Sequence, residues 1–82
     1  MKDKLTPAMI RVLEIASYTS HVTHSGRGGW SDNVMRALVT RGLAVHTRDS
    51  TWEKWYRITE LGLAVGREAH VARLAANAAR FR

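Results

Sequence analysis

The sequence contains no cysteine, no long apolar run and no dense cluster of lysine and arginine. Without cysteine the chain has neither a disulfide framework nor a thiolate metal site, which suits a reducing cytoplasm. No apolar stretch approaches the ~20 residues that a membrane-spanning helix needs. The N-terminal residues MKDKLTPAM include no hydrophobic segment of the signal-peptide type. We therefore expect a cytoplasmic protein that does not enter a membrane.

Catalytic and nucleotide-binding motifs are also missing from the sequence. Ser, His and Asp occur, but not in a G-x-S-x-G setting, and no carboxylates are paired at a spacing that suits acid–base chemistry. The stretch SGRGG at residues 25–29 lacks the G-x-x-x-x-G-K-[ST] pattern of a P-loop. His21 and His24 have the spacing of two metal ligands on one helical turn, but no Cys or carboxylate accompanies them. We expect no enzyme activity, no cofactor and no metal.

The net charge is the strongest signal in the composition. Thirteen Lys and Arg residues against seven Asp and Glu residues give a formal charge of +6. Such a domain is attracted to polyanions, to nucleic acid first and to an anionic membrane second. The basic residues are spread along the chain, so composition alone does not locate a binding surface. At this length we expect residues 1–82 to form a single domain.

The first helix is predicted from its start signal and its periodicity. Thr6 can cap the helix, and Pro7 suits the first helical position because it has no N–H to leave unsatisfied. Apolar residues then recur three and four apart as far as Tyr18, and we expect these to form the buried face: Met9, Val12, Leu13 and Ala16.

Residues 31–42 predict the second helix. Ser31 or Asp32 can cap it, and Gly42 ends it because glycine tolerates the left-handed conformation common after a helix C-terminus. The inward face that we predict for this helix consists of four apolar residues: Val34, Met35, Leu38 and Val39.

The segments around the second helix predict a loop and a hairpin. Residues 19–29 are polar and glycine-rich and indicate a loop, with one short helical turn or strand around residues 21–23. Residues 43–48 and 55–59 alternate in polarity, and about six residues join them. This pattern is typical of an antiparallel β-hairpin.

Residues 60–80 predict a long C-terminal helix, because alanine dominates and proline is absent. Thr59 is the expected cap, and Gly62 allows the helix to approach the preceding helix or sheet closely. Leu61 and Val65 are expected to pack on the domain. Further along the helix, four apolar residues form a seam that needs a cover: Val71, Leu74, Ala78 and Phe81.

The order of these elements resembles the winged helix-turn-helix DNA-binding domain, and specifically its MarR-like branch. The resemblance is carried by LTPAMIRVLEIA (5–16), VMRALVTRGLAVH (34–46) and YRITELGLAVGREA (56–69). It implies an α+β fold, a small winged helix with the order helix, loop, helix, β-hairpin and long C-terminal helix. In that family another helix precedes the recognition helix. Here residues 19–30 leave that helix shortened or missing.

The resemblance makes residues 31–42 the recognition helix. Arg36 can grip guanine O6 and N7, and Asn33 can do the same for adenine N6 and N7. The other predicted contacts are phosphate contacts at the helix ends, in the glycine-rich loop and along the β-hairpin of residues 43–59, which is the wing of this fold. The full set of predicted DNA-binding residues is Arg27, Ser31, Asn33, Arg36, Thr40, Arg41, Arg48, Lys54 and Arg57.

These features predict a DNA-binding transcriptional regulator or accessory DNA-binding protein that binds double-stranded DNA. The resemblance implies a homodimer through the C-terminal helix, for which residues 60–82 offer the seam defined above. Arginine- and alanine-rich, lysine-poor usage is typical of a high-GC bacterium or its phages. The alternative is a winged-helix module of a phage that binds a host protein without reading DNA. In that case Trp52 and Trp55 would lie at the centre of the interface.

Overall fold

The computed structural model describes residues 4–80 of the chain. The elements follow in the order α1 (Pro7–Tyr18), β1 (Val22–Gly26), α2 (Asp32–Thr40), β2 (Ala44–Asp49), β3 (Glu53–Ile58) and α3 (Glu60–Arg80). The strands form one antiparallel sheet in the order β1-β3-β2. The predicted α+β class is therefore confirmed. Within the described residues, no helix has the length and apolar character needed to cross a membrane.

Helix α1 begins and packs as its sequence predicts. The Thr6 side chain accepts a hydrogen bond from the Met9 amide at 3.2 Å, and Pro7 occupies the first turn. The predicted apolar face is buried without exception: Met9, Val12, Leu13 and Ala16. These residues join Met35 and Leu38 of α2 and Tyr56 and Ile58 of β3 in one hydrophobic core.

Of the two alternatives predicted around residues 21–23, the strand is present as the edge strand β1, which continues to Gly26, so less of residues 19–29 is loop than predicted. The strand pairs along its whole length with β3, from Val22 opposite Arg57 to Gly26 opposite Glu53. Its sequence, VTHSG, has weak strand propensity. It is a strand because β3 offers it an open row of backbone donors and acceptors. No helix forms between residues 19 and 31 of the described chain, so the helix predicted to be shortened or missing is missing, and a strand and a turn occupy this stretch.

Helix α2 is shorter than predicted and rotated slightly. Met35 and Leu38 are buried, and Val34 packs on the core from its edge. Val39 was wrongly placed inside, because its side chain is 36% exposed and Ala37 packs against the core instead. Ser31 stands at the N-cap position, but its side chain makes no capping hydrogen bond.

Thr59 joins the end of the sheet to helix α3. Its hydroxyl accepts the Gly62 amide at 3.1 Å, which confirms the predicted cap, and donates to the Gly42 carbonyl at 2.9 Å. The cap orients the first turn so that Leu63 is buried. Leu61 lies two residues earlier and is 59% exposed, so the prediction that it packs on the domain was wrong. Val65 does pack against the core, as predicted.

Two glycines allow α3 to lie directly on the backbone of the domain. A Cβ at Gly62 would collide with the Leu43 carbonyl, and one at Gly66 would collide with the Leu13 carbonyl of α1. The predicted close approach at Gly62 is therefore confirmed. Gly66 extends it to the contact between α1 and α3, where backbone atoms rather than flexible side chains occupy the space.

A buried carboxylate also links α1 to α3. The Glu14 side chain is only 5% exposed, and its Oε2 accepts hydrogen bonds from His70 Nδ1 at 2.9 Å and from Arg73. Arg11 on α1 lies 3.6 Å from the other oxygen. The hydrogen bond from His70, followed by the charges of Arg73 and Arg11, holds the pKa of Glu14 below its ordinary value, although burial acts to raise it.

We expect Gly66→Ala to destabilise the protein. Overpacking against a rigid backbone costs about 1–3 kcal/mol, whereas alanine gains only about 1 kcal/mol in helix propensity. Urea denaturation measures the difference. The control is Ala64→Gly at an exposed position of the same helix, which loses only the propensity term of about 1 kcal/mol. A Gly66→Ala protein more stable than wild type would show that α1 and α3 have room to separate.

Glu14→Gln should lower the melting temperature at pH 7, and the difference from wild type should shrink in acid. The reason is that a carboxyl whose folded pKa is depressed stabilises the fold above its unfolded pKa. That stabilisation is lost as the pH falls through the lower folded value. The relevant window therefore lies below pH 4.5, the ordinary value.

Thermal unfolding followed by circular dichroism from pH 7 to pH 3 tests this expectation. The matched control is Glu68→Gln, which removes an exposed carboxylate from α3. A Glu14→Gln difference that stays constant over this range would contradict the assignment of the pH dependence to the Glu14 cluster.

Candidate nucleic-acid interface

A cleft of about 330 Å³ lies between helix α2 and the hairpin of β2 and β3. Helix α2 contributes one wall, and the two strands contribute the floor and the other wall. The residues that line the cleft are Arg36, Val39, Thr40, His46, Asp49, Lys54 and Tyr56. Three of them were predicted as DNA contacts: Arg36, Thr40 and Lys54.

The register of β3 determines which hairpin side chains face the cleft. Alternate residues of a strand point to the same face, so the burial of Tyr56 and Ile58 in the core places Lys54 on that face as well. His46 lies opposite Tyr56, and Asp49 lies opposite Lys54. Directly opposed residues share a face, which brings both β2 side chains to the cleft.

The other two predicted hairpin cations lie on the opposite face of the sheet, Arg48 because of a bulge in β2 and Arg57 because of the alternation along β3. The register shifts between His46 and Arg48, so that Arg48 lies opposite Trp55 and not on the cleft side. Arg57 shares this outer face with Trp55 because the two are two residues apart. The structure therefore brings Lys54 alone of the three wing cations to the cleft with Arg36.

Asp32, in the first turn of α2, contacts both cations of the cleft. Its Oδ2 lies 3.8 Å from Arg36 Nη1, and its Oδ1 lies 3.8 Å from Lys54 Nζ. The hydroxyl of Ser25 on β1, a residue only 1% exposed, donates to the same Oδ1 at 3.3 Å. One carboxylate, which does not itself line the cleft, thus joins β1, α2 and β3 beside the two cations.

A second acid–base pair occupies the far wall of the cleft. His46 Nε2 lies 2.7 Å from Asp49 Oδ1, and the His46 ring meets the Tyr56 ring edge-on with centroids 5.4 Å apart. Asp49 is therefore engaged with His46, although it stands opposite Lys54 in the register. Sequence reasoning missed His46, Asp49 and Tyr56 as lining residues. The signal for His46 and Tyr56 was the alternation that places them on one face with Ala44 and Ile58, whereas Asp49 reaches this face only through the bulge in β2.

The glycine-rich turn after β1 rests on the tip of the hairpin. The Arg27 amide donates to the Trp52 carbonyl at 3.3 Å, and a bridge between Ser25 and Trp30 closes the turn. The Arg27 side chain is exposed, and Trp52 at the tip is 67% exposed. The turn and the wing tip therefore form one continuous surface beside the cleft.

The remaining predicted DNA contacts of α2 differ in how exposed their side chains are and in whether those side chains already make hydrogen bonds within the protein. Asn33 and Ser31 are exposed at the N-terminus of the helix. Thr40 is exposed, and its hydroxyl donates to the Arg36 carbonyl at 3.0 Å. Arg41 is half-buried, and its Nη1 donates to the Ala37 carbonyl at 3.1 Å. Arg41 is thus partly committed to closing the helix rather than to an external phosphate.

The outer face of the sheet carries a stack of three side chains. The Trp55 ring lies 4.7 Å from the His24 ring and 5.3 Å from the Arg48 guanidinium. His24 in turn lies 3.4 Å from the Glu53 carboxylate. The stack covers Trp55 and places a negative charge beside it, so a stacked base is a poor fit for this face.

The seam predicted on α3 is exposed along its described length. Val71 is 61% exposed, Leu74 is 51% exposed, and Ala78 is exposed beside them. Phe81, the fourth predicted member, lies outside the described residues. Val71 lies between His70 and Arg73, the two residues that contact Glu14 of α1, and residues 74–79 after them are exposed apart from the half-buried Asn77.

Within residues 4–80 no three His, Cys, Asp or Glu side chains are grouped so that they could hold a metal ion. The chain was compared with protein-family models, curated proteins and solved structures, and none of the three comparisons gives a match.

Proposed function

We propose that the protein is a DNA-binding regulator with a winged-helix domain, in which α2 enters the major groove. The observation that carries this proposal is the convergence of Arg36 on α2 and Lys54 on β3 at one cleft. An α-helix is 10–12 Å across with its side chains, which matches the major groove. The order of elements and the antiparallel sheet support the winged-helix assignment.

The exposed surface of α2 supplies the groups that base reading requires. Arg36 has a side chain that is 70% exposed, and Asn33 is exposed one turn earlier. Both can make bidentate hydrogen bonds to purine edges in the major groove. Lys54 and Arg27 then meet the phosphates on either side of the helix, where the formal charge of +6 attracts the duplex.

The proposed protein acts as a homodimer through α3. The exposed seam of Val71, Leu74 and Ala78 repeats at the spacing of a helix–helix interface, and it lies on a face of α3 that is exposed to solvent. Two copies would present two recognition helices to a two-fold symmetric site, as helix-turn-helix dimers do.

The wing tip favours a second candidate, a module that binds a protein partner. Trp52 is exposed to solvent over 67% of its surface, and tryptophan is enriched at the centres of protein interfaces. The two candidates differ in their dependence on salt, because phosphate contacts release counterions and an aromatic anchor does not.

Arg36→Ala should abolish sequence selectivity for duplex DNA. We would select a preferred sequence from a random 30-base-pair pool with wild type. Fluorescence anisotropy would then compare this enriched duplex with a scrambled one. Wild type should prefer the enriched duplex and lose at least about tenfold in affinity between 50 and 200 mM salt. Without Arg36 the preference should fall by about 5- to 150-fold, the value of one bidentate base contact of ~1–3 kcal/mol.

The matched control is Arg67→Ala, which removes an exposed arginine from α3. It lowers the net charge equally and should leave the preference intact. If wild type enriches no sequence and both variants bind equally weakly, the proposal is wrong and the wing tip becomes the surface to pursue.

Leu74→Asp should convert the proposed dimer into a monomer, because it places a charge in the apolar seam. Light scattering coupled to size exclusion should give about twice the chain mass of 9.2 kDa for wild type and the single chain mass for the variant. The control is Ala76→Asp, an exposed position about 200° around the helix from Leu74. A wild-type monomer, or a Leu74→Asp dimer, would rule out this seam as the interface.

A further inference from the structure

Asp32 lies where a DNA-binding surface should least tolerate a carboxylate. It stands 3.8 Å from both Arg36 and Lys54, the two cations that converge on the cleft. The hydroxyl of the buried Ser25 holds one of its oxygens at 3.3 Å. The hydrogen bond from Ser25 therefore helps to hold the Asp32 carboxylate in place, so that its position does not depend on the two cations alone.

The other charged groups around the cleft do not duplicate this contact. On β2, Asp49 is engaged with His46 at 2.7 Å. On β3, Glu53 lies on the outer face and pairs with His24 at 3.4 Å. Asp32 is thus the carboxylate of the described chain that lies within ion-pair distance of Arg36 and Lys54.

The two ion pairs are long and exposed, so they are easily exchanged for others. The side chains of Arg36 and Lys54 are 70% and 52% exposed, and the separations of 3.8 Å exceed hydrogen-bond distance. Exposed pairs of this kind contribute little to folding. Their electrostatic effect on an approaching phosphate is larger, because the carboxylate repels the phosphate that each cation attracts.

We propose that Asp32 is a specificity-determining residue that weakens non-specific DNA binding and orients Arg36 and Lys54 for the preferred site. This inference rests on the proposed function. At a non-specific site the protein gains only phosphate attraction, which Asp32 reduces. At the preferred site Arg36 also gains hydrogen bonds to base edges, and a guanidinium whose conformations are biased by attraction to Asp32 loses less freedom in making them.

The experiment compares Asp32→Asn with Glu60→Gln on the enriched and scrambled duplexes. Both variants remove one carboxylate from the first turn of a helix, so they raise the net charge of the chain equally. With Asp32→Asn, affinity for the scrambled duplex should rise about three- to fivefold at 50 mM salt, as expected for a charge a few ångströms from bound phosphate. Affinity for the enriched duplex should change by less than twofold.

Two further variants test whether the effect comes from the charge of Asp32 and from its action on the two cations. Asp32→Glu restores the charge and should restore the wild-type preference. Asp32→Asn added to a protein that already carries Arg36→Gln and Lys54→Gln should tighten binding to both duplexes equally, since the repulsion of phosphate remains and no cation is left to be oriented. If Asp32→Asn proves unstable in thermal unfolding, Asp32→Ser replaces it, because serine suits a helix N-terminus.

The inference is overturned if Asp32→Asn tightens scrambled-duplex binding no more than Glu60→Gln does. It is also overturned if Asp32→Asn tightens both duplexes equally, because the charge would then be generic. If the wild-type protein binds neither duplex, both the proposed function and this inference are wrong. If the wild-type protein binds selectively but the Asp32→Asn and Glu60→Gln variants behave alike, only this inference is wrong.

Discussion

The antiparallel pairing of β3 with both neighbouring strands is the constraint on which the rest of the structure depends. β3 is the central strand, and its register buries Tyr56 and Ile58 against α1 and α2. A slip of one residue would exchange the two faces of the sheet. It would bury Trp55 and Arg57 and move Lys54 away from α2. The same register that forms the core therefore also places the cleft.

The attachment of α3 depends on close backbone contact and one buried charge. Gly66 lets the helix touch the Leu13 carbonyl of α1, and Glu14 is satisfied by His70 and Arg73 on α3. A small domain can bury only a modest apolar core, so a matched ionic contact at its edge is a substantial addition. The described residues of the apolar seam, Val71, Leu74 and Ala78, are exposed on the surface of α3.

The cleft also shows why net charge is a weak guide to a binding surface. The formal charge is +6, yet the two cations that meet at the cleft share a carboxylate. The Arg48 and Arg57 side chains lie on the other face of the sheet because of one bulge and one strand alternation. What a nucleic acid would meet is a local arrangement of positive and negative groups rather than the sum of the sequence.

The sequence by itself determined the helices and the hairpin, because caps, periodicity and alternation act within a few residues: Thr6 and Thr59 cap as predicted. Only the tertiary structure decided that residues 22–26 form a strand, since VTHSG gains its hydrogen bonds from β3 and not from its own propensity. Tertiary packing likewise decided that Leu63 rather than Leu61 is buried, and that Asp32 meets Lys54 from 22 residues away. Such contacts depend on how elements distant in the chain are brought together, and no local pattern encodes them.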